Sequence, residues 1–248
     1  MTLPKKPGQI PTKRSPVRPL PTDKDLPFED GIPLEHEAYG DQARQYLIWP
    51  LRRLIKLGEI PTAFVGGNSF VYYDPKNLRT TLGPDFYVVN GGPAKTHASW
   101  VKWQHGGLLP TMVVEFLSPS TESEDRGRKF VLYRDVFKTP DYFLFDWVVG
   151  RLEGFHLHDG QYQVVAPNQA GRFPCVSLPL EFGTHDGWLR FYYPDGRLVP
   201  TADELAKAEH LRAEAERQRA EAERQRADAA EAELHRLRAL LERQNPTS

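Results

Sequence analysis

Between Ile60 and Leu117, turn formers cut the chain into short runs of β-branched and aromatic residues, and this pattern constrains the fold most tightly. Phe70-Val71-Tyr72-Tyr73, Phe86-Tyr87-Val88-Val89 and Met112-Val113-Val114-Glu115-Phe116-Leu117 read as strands. Asp74-Pro75, Gly83-Pro84, Gly91-Gly92-Pro93 and Gly106-Gly107 separate them. Before them, Tyr39, Ala43, Tyr46, Leu47, Leu51, Leu54 and Ile55 recur at helical spacing, which predicts a helix over residues 36–58. Gly58 is placed to end that helix, and Pro50 to kink or split it. Thr121 and Glu124 have the spacing of a capping box, opening a helix that stops before Pro140. A strand at residues 142–147, a hairpin turning at Asp159-Gly160, a strand at residues 188–193 and a turn at Asp195-Gly196 complete the pattern. The order predicts an α/β (α+β) domain.

The two ends differ from this middle. Residues 1–33 hold eight of the 22 prolines and little periodic apolar pattern, which predicts a disordered arm. The tail repeats AEAERQR at residues 213–219 and 220–226. Ala206, Ala213, Ala220, Ala227, Leu234 and Leu241 fall seven apart, but the partner seam position carries Glu209, Glu216 and Glu223 before Ala230 and Leu237. One long solvated helix over residues 203–243 is therefore expected, with a weak coiled-coil seam confined to its last two heptads. The division is an arm of residues 1–27, a domain of residues 28–200 and a helical tail of residues 201–248.

Charge and cysteine content narrow the functional classes. Net charge is −1, but residues 1–24 carry six Lys or Arg against Asp23 alone. The middle has 17 basic and 21 acidic groups, which counts against tight non-specific DNA binding. Cys175 is the only cysteine, so an internal disulfide and a thiolate zinc cluster are excluded, as a reducing cytoplasm would suit. No apolar run approaches the roughly 20 residues of a membrane span, and the opening MTLPKKPGQIPTKRSP lacks the apolar stretch of a secretory signal.

The chemistry is expected at three residues. Glu115 sits inside an apolar strand, where an unpaired carboxylate costs several kcal/mol, so it is either bonded by a neighbour or functional. Val113, Glu115 and Leu117 share one strand face, and Asp85 opens another strand. Lys129, Leu132, Tyr133 and Val136 share a helix face that should pack on the sheet and carry the ammonium toward the strands. Two converging carboxylates can hold Mg²⁺ (or Mn²⁺), and a lysine beside them can position or deprotonate a water. Gly66-Gly67-Asn68-Ser69 fits a strand-connecting turn better than a phosphate loop. His36 has no partner at metal-ligand spacing, and Ser118 and Ser120 lack a nucleophile elbow. Asp146 is expected to bond a turn.

Gly83-Pro84-Asp85, Val114-Glu115, Ser118-Pro119-Ser120-Thr121, Asp125, Lys129, Tyr133 and the run from Asp141 to Asp146 together resemble the Uma-two family. These are bacterial proteins classed with restriction endonucleases and assigned to the PD-(D/E)XK nuclease-like fold. The likeness covers about residues 28–147. It implies a restriction-endonuclease-like mixed sheet flanked by helices, Asp85 and Glu115 as metal ligands, and Lys129 as the catalytic lysine. In the wider superfamily that lysine stands two residues after the acid, where this chain has Leu117. Glu35 and Asp125 are supporting candidates. Glu35, like Glu37, lies near the first helix, where related nucleases sometimes supply another acid; capping or exposure is the alternative. Asp125 either orients Lys129 from one turn away or answers the helix dipole.

The leading reading is a Mg²⁺-dependent DNA endonuclease. One alternative is an inactive nuclease-fold module that binds a partner, or a second copy, through its tail. The other is a metal-dependent hydrolase of RNA or nucleotides.

Overall fold

Alternation along residues 86–89 and 112–117 divides the interior into two cores. The computed structural model describes residues 19–27, residue 40 and residues 43–244. Its strands are β1 (Ala63–Gly66), β2 (Val71–Tyr72), β3 (Thr81–Leu82), β4 (Phe86–Asn90), β5 (Trp100–Val101) and β6 (Met112–Leu117). Then follow β7 (Asp141–Asp146), β8 (Arg151–His158), β9 (Gln161–Val165), β10 (Phe173–Pro174), β11 (Glu181–His185) and β12 (Trp188–Tyr192). Helix α1 spans residues 43–57, α2 residues 122–137 and α3 Ala202–Gln244.

A six-stranded sheet runs β1-β4-β6-β7-β8-β9, with β6 and β7 parallel and every other neighbouring pair antiparallel. Phe86, Val88, Met112, Val114 and Phe116 point to one face, where they pack with Leu47, Leu51 and Leu54 of α1 and with Phe182 and Phe191 of the β10-β11-β12 sheet. Tyr87, Val89, Val113 and Leu117 point to the other face, with Tyr133 and Phe137 of α2 and Val71, Leu82 and Trp100 of the β3-β2-β5 sheet. This is the expected mixed α/β domain of the restriction-endonuclease-like type, with a long C-terminal helix. Glu115 falls on the second face by strand alternation alone.

Several local expectations need correction. The capping box at Thr121 and Glu124 does not form: the Thr121 hydroxyl bonds the Ser118 hydroxyl at 3.0 Å, and no side chain caps the helix start. A reciprocal box forms instead at Thr201 and Glu204, where the Glu204 amide donates to Thr201 Oγ1 at 3.2 Å and the Thr201 amide to Glu204 Oε2 at 2.8 Å. Within α2, π-type turns at Asp125–Lys129 and Tyr133–Phe137 widen the helical period. Phe137 is thereby buried and Val136 left 44% exposed, against the expected shared face. In α1 the chain passes from a π turn (Ala43–Ile48) to an α-helix (Trp49–Leu57) at Pro50, so the proline changes the hydrogen-bond pattern without breaking the helix. Gly58 ends α1 in the left-handed conformation, with φ +72°.

Residues 21–25, within the stretch read as a disordered arm, are held against the domain. Trp103 Nε1 donates to the Pro21 carbonyl at 2.7 Å, and Asp23 Oδ2 lies 3.2 Å from His97 Nδ1. These bonds need only isolated polar groups on the arm, so the arm's weak apolar pattern gave no sign of them. Asp159-Gly160 turns the expected hairpin with both residues at positive φ. Among the described residues, no helix is long and apolar enough to cross a membrane.

Candidate active site

Asp85 stands at the entry to β4, directly before Phe86, whose partner on β6 is Val114. The ladder therefore brings Asp85 beside Glu115. The Asp85 amide donates to Glu115 Oε2 at 3.3 Å, and Asp85 Oδ2 accepts the Phe116 amide at 2.7 Å. From α2, Tyr133 donates its hydroxyl to Glu115 Oε1 at 2.7 Å. Lys129 Nζ lies 3.1 Å from Glu115 Oε2 and 2.8 Å from Asp125 Oδ1.

Two contacts fix α2 at the distance this requires. Tyr142 of β7 donates its hydroxyl to the Asp125 carbonyl at 2.9 Å, and Arg126 grips both oxygens of Glu153 on β8 at 2.9 and 2.7 Å. On the opposite side, the Gly66–Ser69 turn presses on Asp85. The Asn68 amide donates to the Pro84 and Asp85 carbonyls at 3.0 and 3.2 Å, and a Cβ at Gly67 would meet the Asp85 carbonyl oxygen at 2.6 Å. Gly67 is required by this close approach.

The electrostatics are those of a buried, acid-rich cluster. Glu115 is wholly buried, and burial pushes its carboxyl up to about 8, with the Lys129 ammonium opposing the rise. Asp85 is raised by burial too, against the pull of Lys129 and the Phe116 amide. Burial alone would depress Lys129, but the carboxyls of Glu115, Asp125 and Asp85 outweigh it and hold the ammonium above its ordinary value. Tyr133 is raised well above the usual phenol range by burial and by Glu115, so it remains a donor.

Three carboxyls thus face one ammonium. Fully ionised, they would leave two negative charges in excess within a desolvated site, and burial pushes both Asp85 and Glu115 toward their neutral forms. This donor set fits a divalent cation, which would balance the excess. Asp85 and Glu115 are the residues to hold it. No three His, Cys, Asp or Glu among the described residues are grouped to hold a metal, so the rest of the shell would come from water or substrate oxygens, as Mg²⁺ prefers.

Asp85 also lines a cleft of about 340 Å³, together with Arg44 and Arg52 of α1, Asn68, His97 and Phe116. Arg52 donates to the Val65 carbonyl at 2.8 Å, and burial lowers its guanidinium somewhat from its ordinary value. The cleft opens on the Asp85 end of the carboxyl pair, with Glu115 behind it.

The side chains of Asp85, Glu115, Lys129 and Asp125 therefore lie together, and Asp125 touches Lys129 directly. Asp146 accepts the Val148 and Val149 amides in a turn, as expected. Glu35, His36 and Glu37 lie outside the described residues. Sequence reasoning missed Arg44 and Arg52, whose eight-residue spacing on a helix was the available signal, and Tyr133 as the donor to Glu115. It also gave no weight to Gly67 as the residue that admits Asp85.

Residues 34–188 match the family Uma2, described as "Putative restriction endonuclease". The chain belongs to the Uma2 family. A relative from Synechocystis sp., the uncharacterized protein slr1290, is 36% identical over 117 residues, covering 47% of this chain and 58% of that protein. The chain thus spans little more than half the length of this curated relative. A solved structure, described as a putative nuclease belonging to DUF820 from Anabaena variabilis, is 12% identical, with a TM-score of 0.37 over 55% of this chain and 74% of the other.

Proposed function

We propose that this Uma2 protein is a metal-dependent endonuclease hydrolysing phosphodiester bonds of DNA, with Mg²⁺ (or Mn²⁺) held by Asp85 and Glu115. The observation that carries the reading is the meeting of Asp85, Glu115 and Lys129 beside a cleft whose wall bears Arg44 and Arg52. Family membership supports a nuclease.

A bound cation would lower the pKa of a water and stabilise charge building on the phosphate. The protein's own residues supply position and charge. Arg44 and Arg52 are placed to receive the non-bridging oxygens of the scissile phosphate. Lys129 offers a second cation behind the carboxyl pair, able to orient the attacking water or to offset charge on the pentacoordinate phosphorus. Asp125 holds the Lys129 ammonium from one helical turn away, and Tyr133 fixes the Glu115 carboxyl. Asp85, on the cleft side, is the carboxyl closest to solvent.

Supercoiled plasmid incubated with the purified protein tests the reading. Nicking or linearisation that needs Mg²⁺ or Mn²⁺ and disappears in Glu115→Gln is the expected result. A well-folded protein inactive on DNA across cations, but active on RNA or nucleotides, would move the function to the alternative hydrolase. Inactivity on all of them would leave a binding module.

A further inference from the structure

The cleft beside Asp85 adjoins a second compartment. This neighbour has a volume of about 410 Å³ and lies between α1, β1 and the loop at residues 94–96. Arg52 and Phe64 line both spaces, so the two adjoin along one side of α1 and together are called the groove. Arg44 and Arg52 serve the Asp85 end; Lys56 and Lys95 stand at the far end. Asp85, at the catalytic end, is the groove's only carboxylate among the described residues.

These cations differ from many others in the domain. Arg126, Arg128, Arg134, Arg151, Arg190 and Arg197 each lie within 4.0 Å of a carboxylate. Arg44, Arg52, Lys56 and Lys95 are all exposed, and none is ion-paired among the described residues. Four cations converging on one groove of a chain with net charge −1, with no ion pair among the described residues, are a local field that attracts a polyanion. Arg52 and Lys56 are one helical turn apart, about 6 Å along α1, so successive positions along the groove each present a charge.

We propose that this groove carries the sugar–phosphate backbone of one nucleic-acid strand. Lys56 and Lys95 hold phosphates beyond the scissile one, and Arg52, anchored on the Val65 carbonyl, marks the passage between the compartments. The inference rests on the nuclease reading for the direction of the path, because Asp85 marks the reacting end. The groove's affinity for a strand does not depend on cleavage, so the two can fail separately.

Fluorescence anisotropy with a labelled 15-nucleotide single-stranded DNA, on the full chain in EDTA, tests the path without turnover. Wild type should bind with a log K against log [salt] slope of about −3, from four cations at about −0.7 each. Lys56→Ala and Lys95→Ala should each weaken binding about three- to tenfold and reduce the slope by about 0.7, while the tail variant Arg219→Ala changes neither. Absence of binding by wild type would overturn the proposal. So would equal binding by wild type, Lys56→Ala and Lys95→Ala, or a loss in Arg219→Ala as large as theirs. Binding that follows Lys56 and Lys95 in a protein that never cleaves DNA would uphold the path and remove the nuclease reading.

Discussion

Lys129 on α2 lies 3.1 Å from Glu115 on β6, so an ammonium from the helix reaches the face where the strand itself offers only Leu117. Lys129 and Tyr133, four residues apart on α2, face the sheet together, and both end on the same carboxyl. A lysine supplied from a neighbouring element gives the same charge at the same carboxylate as one supplied from the strand.

The proposed cation site predicts a ligand-dependent gain in stability. Mg²⁺ or Mn²⁺ should raise the melting temperature of wild type, because a ligand that binds the native state alone stabilises it. Asp85→Asn combined with Glu115→Gln should remove the gain. Differential scanning fluorimetry at several cation concentrations checks this, and an equal shift in both proteins would reject the site.

Lys129→Met should slow plasmid cleavage and also lower stability by about 3 kcal/mol, since it leaves the buried Asp125 carboxylate without its cation. Adding Asp125→Asn should restore most of the stability and none of the rate. Urea unfolding and cleavage assays on the single and double variants separate the two effects. Recovery of rate with stability would reduce Lys129 to a structural ion pair.

Gly67→Ala should cost about 1–3 kcal/mol, because its Cβ would meet the backbone oxygen of Asp85 at 2.6 Å and the strand entry cannot swing aside as a side-chain tip would. The same displacement moves Asp85, so the cation-induced gain in melting temperature should shrink as well. A variant with wild-type stability and an unchanged cation response would show that the turn does not position the carboxyl.

Acid should loosen the base of α3. The bond to Arg190 holds the Glu204 carboxyl below its ordinary value, with burial opposing. The unfolded chain then binds more protons than the native one as pH falls below about 4.5, so this stabilisation is present above that pH and is lost through the folded pKa. The melting-temperature difference between wild type and Glu204→Gln should therefore be constant from pH 7 to 5 and narrow toward pH 3. A difference that is constant down to pH 3 would contradict the assignment.

Self-association through the tail should be weak and should rest on Ala227, Ala230, Leu234, Leu237 and Leu241. Alanine buries little surface, so the earlier heptads add little. Sedimentation of the full chain, of a chain ending at Pro200 and of Leu234→Ala with Leu241→Ala checks this. A stable oligomer that survives the truncation would assign assembly to the domain.

Much of the fold was legible because buried strands announce themselves: β4, β6 and β7 are dense in Val, Phe and Tyr between Gly and Pro turns. The two-residue β2, β3 and β5 were partly or wholly missed, since a strand that short has no period to read. Glu115 stood out because an acid in an apolar run demands a partner. The partner's distance came from α2 packing, which no spacing rule supplies. Arg44, Arg52, Lys56 and Lys95 stayed hidden for another reason. Summed over the middle of the chain, acids outnumber bases, and only folding separates cations already matched to carboxylates from those left facing a groove.

The reciprocal box at Thr201 and Glu204, with Arg190 clamped on the same Glu204, has a consequence for everything beyond it. The helix does not hang from a swivel: its first turn is bolted to β12, and Gln45 of α1 adds a bond to Asp203 at 2.8 Å. At about 1.5 Å per residue, Leu237 stands roughly 50 Å from that bolt. The tail is thus a standoff with a fixed root, and a second body gripping its last two heptads would be kept at arm's length from the cleft, on a bearing dictated by the sheet.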